Sequence, residues 1–116
     1  MEFSKDYREL GEIIVKKLRD ENFEYYIKNR DFGKSMTVKE YSELPRNPNL
    51  APEFQKLKDE RFEFFNGLNE KQTEALNRLI LNILNSTAFN FLRKIEENLD
   101  DNKSLGLTIN GKKLRI

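Results

Sequence analysis

The sequence predicts a mainly α fold. It reads as four to five helices, one long central helix over about 70–99 and a C-terminal β-hairpin over about 105–116, in a single domain spanning residues 1–116. Three observations predict it. Leucine outnumbers valine by 15 to 2, and strands favour β-branched side chains. Apolar residues recur at spacings of three and four along most of the chain. Only the last dozen residues change to a period of two, on either side of Asn110-Gly111. At 116 residues the chain has the size of one domain. Phe, Ile, Leu and Val together number 34, enough for a small core and above the composition of disordered chains.

The first helix begins after Ser4, whose hydroxyl suits an N-cap. Tyr7, Leu10, Ile14 and Leu18 then lie on one face, with Glu12 and Lys16 an i,i+4 pair on the wet side. The phase slips after Leu18, which predicts a break near Asp20-Glu21-Asn22. Residues 23–28 fit a helix through Phe23, Tyr26 and Ile27 and a strand through Phe23, Tyr25 and Ile27; helix is the preferred reading. Asp31-Phe32-Gly33 reads as a turn. Thr37-Val38-Lys39-Glu40 is a capping box, with Met36 and Tyr41 placed as a hydrophobic staple. The helix it opens is stopped by Pro45. Pro45, Pro48 and Pro52 mark a connecting loop over 45–52.

Pro52 suits the first turn of the next helix. Phe54, Leu57, Arg61 and Phe65 lie on one face of it, with Phe62 and Phe64 to either side. Asn66-Gly67 is a C-terminal stop, with Gly67 placed for the left-handed conformation. Asn69-Glu70-Lys71-Gln72 is a second capping box. Leu76, Leu79, Ile80, Ile83, Leu84, Ala88, Phe91, Leu92, Ile95 and Leu99 then repeat at helical spacing. They predict one helix, with a weak spot at Asn85-Ser86-Thr87. At the C-terminus the hairpin pairs Ile109 with Lys112, Leu107 with Leu114 and Leu105 with Ile116. Its apolar face must rest on a helix or a partner.

Composition excludes several chemistries. The sequence holds no Cys, His or Trp. A disulfide framework, a Cys/His zinc site, a thiol nucleophile and an imidazole base are therefore ruled out. No paired carboxylates, activated serine or glycine-rich phosphate loop is spaced for catalysis, so the chain is read as not an enzyme and as taking no cofactor. Asp100-Asp101-Asn102-Lys103-Ser104 resembles the start of a calcium loop. Leu105 then stands where Gly is needed and Gly111 where Glu is needed, so no metal site is expected. No apolar run is long enough for a membrane span, and no leader or lipidation signal is visible. Cytoplasmic residence follows by elimination.

The charges are balanced, 21 basic against 20 acidic, which argues against a nucleic-acid partner. Glu96, Glu97, Asp100 and Asp101 crowd the end of the long helix, where negative charge opposes the helix dipole; they form a candidate acidic docking surface. Phe62, Phe64, Phe65, Phe89 and Phe91, with Tyr25 and Tyr26, are more aromatics than one core face takes up. A subset left exposed would anchor a protein partner. The candidate partner-binding residues are thus Glu96, Glu97, Asp100, Asp101, Tyr25 and Tyr26. Lys112, Lys113 and Arg115 make the second hairpin strand basic. They suit either a lysine-protected edge strand or the wing of a winged-helix nucleic-acid binder.

Residues 62–97 carry a family resemblance. Phe62-Glu63-Phe64-Phe65-Asn66-Gly67-Leu68 leads into the capped Asn69-Glu70-Lys71-Gln72 helix, which runs to Phe89-Asn90-Phe91-Leu92 and Ile95-Glu96-Glu97. This is similar to small bacterial immunity-type or uncharacterised helical cytosolic proteins. The resemblance implies a partner-binding protein without catalytic residues, such as a bacterial or phage inhibitor that masks a toxin or defence protein. It carries over no binding residue. The reading is a protein-binding module, monomer or homodimer, with the winged-helix regulator as the alternative.

Overall fold

A computed structural model describes residues 3–100 and 106–114, apart from the side chains of Asp100 and Ile109. The fold is mainly helical. Helix α1 spans Lys5–Val15, a π-helical segment Lys16–Asp20, α2 Glu21–Lys34, α3 Val38–Ser42, α4 Pro52–Gly67 and α5 Glu70–Asp100. A tiny strand pair follows, β1 Thr108–Ile109 and β2 Lys112–Lys113. The helices begin where local hydrogen bonding favours it. Ser4 Oγ accepts the Tyr7 amide at 3.1 Å. Thr37 and Glu40 close the capping box of α3, each accepting the other's amide at 3.1 Å. Asn69 and Gln72 do the same for α5 at 2.8 and 2.9 Å. Such caps satisfy amides that the first turn leaves without a helical partner.

The break expected near Asp20-Glu21-Asn22 is not a break. The chain stays helical, and the Glu21 amide bonds to the Lys16 carbonyl, five residues back. A π turn takes in one residue more than an α turn. It shifts the phase of later side chains by about 100°, so the stripe Tyr7–Leu18 resumes at Phe23. The Asn22 side-chain Nδ2 donates to the carbonyls of Lys17 and Leu18 at 3.2 and 3.0 Å, replacing α bonds that the wide turn disrupts. Residues 23–28 are helical, and so is Asp31-Phe32-Gly33, which is no turn. Gly33 is buried because α4 leaves it no side-chain room: a Cβ there would overlap the Phe65 side chain.

The chain forms two compact units, Met1–Phe23 with Ile80–Ile116, and Glu24–Leu79. In the first, Tyr7, Ala88, Leu92, Ile95 and Leu114 are buried. Tyr7 bonds to Glu96 and Arg19 to Asn85, so α1 and the π segment run antiparallel to α5 there. In the second unit the core is aromatic. Tyr41 stacks on Phe62 with centroids 4.0 Å apart and planes within 8°. Phe32 meets the Phe62 ring edge-on at 5.8 Å, and Tyr26 meets Phe65 likewise at 5.8 Å. The Asn66 side-chain Nδ2 donates to the carbonyls of Gly33 and Met36 at 3.1 and 2.8 Å, closing the end of α2.

Three further expectations are corrected. The α4 face is turned: Phe62 and Phe65 are buried, whereas Phe54, Leu57 and Arg61 are exposed. Gly67 is the last residue of α4 and is not left-handed, since Leu68 ends the helix in an extended conformation. The hairpin over 105–116 is not supported as such. Only two residues per strand pair, with Ile109 opposite Lys112 and Thr108 opposite Lys113. The Asn110-Gly111 turn takes positive φ at both residues, 53° and 79°, as a two-residue turn of this hand requires. The Leu114 amide donates to the Leu107 carbonyl at 2.7 Å, while Leu105 and Ile116 lie outside the described residues.

Candidate functional site

The residues singled out from the sequence fall in both units. Glu96 is held inside its unit, accepting a hydrogen bond from the Tyr7 hydroxyl. Burial, then that bond and the Glu96 charge, push the Tyr7 pKa well above its ordinary value. Glu97 is exposed and pairs with Lys94 at 3.7 Å. Asp100 ends α5, and Asp101 lies outside the described residues. Tyr25 and Tyr26 belong to the other unit and point differently. Tyr26 is half-buried and donates to Asn77 Oδ1 at 2.6 Å; burial raises its pKa, with Arg30 opposing. Tyr25 is 62% exposed. Lys112 and Lys113 are exposed on β2, and Arg115 lies outside the described residues.

Around Tyr25 a surface forms from the α4 face on which the sequence placed Phe54, Leu57 and Arg61. Phe54, Leu57, Arg61 and Phe64 follow each other along α4 at spacings of three, four and three. That spacing keeps them in one stripe, about 15 Å long at 1.5 Å per residue. Phe54 and Leu57 are each 59% exposed and Phe64 54%. Arg61 Nη1 reaches across to donate to the Tyr25 hydroxyl at 3.3 Å. With Tyr25 the stripe presents on the order of 400 Å² of largely apolar surface, the scale of functional patches on monomers. The adjoining stripe, Phe62 and Phe65, is sealed by Gly33, Tyr26, Phe32 and Tyr41. No signal within α4 shows which stripe goes inside; the close approach of Gly33 on α2 to Phe65 decides it.

Two other features have defined chemistry. Asp59 accepts from Tyr41 Oη at 2.7 Å, from Gln55 Nε2 at 2.8 Å and from Arg46 Nη1 at 2.9 and 3.0 Å. These bonds, Tyr41's foremost, hold its carboxyl at about 2. A cavity of about 90 Å³ lies beside them, bounded by Leu44, Asn47 and Lys58 among others. In the first unit an open groove of about 420 Å³ runs between Gly11, Val15, Phe89 and Leu92. Arg19 covers its Phe89 ring at 5.9 Å. Among the described residues no group of three or more His, Cys, Asp or Glu is placed to hold a metal ion, and no helix is long and apolar enough to cross a membrane.

Comparison of the chain with protein-family models, with curated proteins and with solved structures gives no match.

Proposed function

We propose that this chain is a non-catalytic protein-binding module. The observation that carries the reading is the exposed stripe Phe54–Leu57–Phe64 beside Tyr25. Large aromatic and aliphatic side chains left in water at helical spacing are the anchors that protein interfaces bury. The resemblance of residues 62–97 to small immunity-type proteins gives the reading its concrete form. The chain is then a bacterial or phage inhibitor that masks a toxin or defence protein in the cytoplasm. Of the residues first considered, Tyr25 joins this surface, and Glu96 is set aside because its carboxylate is committed to Tyr7.

The test compares the wild-type chain with Leu57→Asp/Phe64→Asp as bait in nuclease-treated native lysate. Both positions are exposed, so the circular dichroism of the double variant is expected to be unchanged. One stoichiometric protein held by the wild type and lost by the variant supports the reading. Equal retention by both removes this surface. Retention only when nuclease is omitted turns attention to the winged-helix alternative at Lys112, Lys113 and Arg115.

A further inference from the structure

The stripe on α4 has a charge problem that says what can cover it. Arg61 sits in its middle, between Leu57 and Phe64. Its helical neighbours at three and four residues are Leu57, Lys58, Phe64 and Phe65, none of them acidic. Across the stripe it donates to the neutral Tyr25 hydroxyl, at a long 3.3 Å. Glu24, next to Tyr25 on α2, is paired with Lys28 at 3.3 Å. Among the described residues Arg61 makes no ion pair. In water this is harmless. Once an apolar partner covers Phe54, Leu57 and Phe64, the guanidinium loses its hydration, and a buried charge without a counter-charge opposes binding. The occupant must therefore bring an acceptor.

We infer that the stripe takes an amphipathic helix of a partner protein whose apolar seam carries an aspartate or glutamate opposite Arg61. The inference rests on the docking reading above and deepens it. The spacing of three, four and three is that of a helix seam, which packs against another helix. A guanidinium prefers a carboxylate, which accepts two of its donors at once. Glu53 and Glu60, each one residue before a seam position, line one margin of the stripe, so basic residues on the facing margin of the partner complete the match. A second copy of this chain does not meet the need. Parallel copies bring Arg61 against Arg61, and antiparallel copies bring Glu60 against Glu60.

The experiment is a displayed library of helical peptides with leucine seams and one randomised central seam position, selected on the full-length chain. Asp and Glu at that position are expected to be enriched about tenfold or more over Lys and Arg, and selection on Arg61→Glu is expected to reverse the preference. Enrichment that depends on Leu57 but ignores the central charge would overturn the inference and leave the docking reading standing. A preference for acids that survives Arg61→Glu would also overturn it. If no peptide is enriched on the wild type over Leu57→Asp, the docking reading fails together with the inference.

Discussion

Asp59 shows how one side chain ties a loop to a helix. It stands on α4, and its three donors come from α3 (Tyr41), from the loop after it (Arg46) and from its own helix (Gln55). Their hydrogen bonds favour the charged form, and the carboxyl is held at about 2, against about 3.9 in an unfolded chain. A carboxyl depressed by folding stabilises the fold at all pH values above the unfolded value and loses that contribution as pH falls toward the folded one. The window therefore runs from about pH 4 down to about pH 2. Burial first, and Asp59 second, push the Tyr41 hydroxyl the other way, above its ordinary value, so Tyr41 remains a donor across this window. The expected outcome is that Asp59→Asn is less stable than the wild type at neutral pH and that the difference closes between pH 4 and 2. Thermal unfolding at half-unit steps of pH checks it. Parallel curves for the two proteins would mean that the cluster is not coupled to folding.

The helical elements differ in how far the sequence revealed them. Caps were legible because they are local: Ser4, Thr37 with Glu40, and Asn69 with Gln72 bond to residues three positions away. The single helix from Glu70 to Asp100 was legible because its apolar residues keep phase. The π segment was not, since the five-residue step from Leu18 to Phe23 looks like a broken pattern when only α spacing is considered. The face of α4 was not legible either. Both of its stripes are apolar, and Gly33 on α2 and Tyr41 on α3 decide which one is buried. Tyr25 is exposed, whereas the tie between Glu96 and Tyr7, 89 residues apart, was invisible. The short strand pair kept the predicted pairing of Ile109 with Lys112, a turn property, but not the expected length. If the π turn sets the phase of α1, deleting Lys17 should let the segment close into α geometry and rotate α1 by about 100°. Tyr7 would then leave its buried place, at a loss of about 2 kcal/mol or more, while Lys17→Ala at this exposed position should stay within about 0.5 kcal/mol. Urea denaturation of the two variants distinguishes them. A deletion as mild as the alanine variant would show that the π turn is not setting the register.

Across the whole molecule, burial and exposure are out of proportion. The first unit buries Tyr7, Ala88, Leu92, Ile95 and Leu114, and the second Tyr41, Phe62 and Phe65. Yet Ile13, Ile83, Phe89 and Phe91 in the first, and Tyr25, Phe54, Leu57 and Phe64 in the second, remain about half or more exposed. Single exposed apolar residues are ordinary, but runs of them on one helix face mark surfaces that function covers. The distinction can be measured on the isolated chain. If the α4 stripe is a free surface, Leu57→Lys/Phe64→Lys should lower the binding of a hydrophobic fluorescent dye. Stability should move little, because both side chains are more than half exposed and only the Phe64 ring touches the core, meeting Phe65 edge-on at 5.4 Å. A change within about 0.5 kcal/mol corresponds to about 3 °C or less in Tm for a chain of this size. A large fall in Tm instead would place Leu57 and Phe64 in the folding core in solution. The docking surface, and the acidic helix argued for it, would then lose their physical basis.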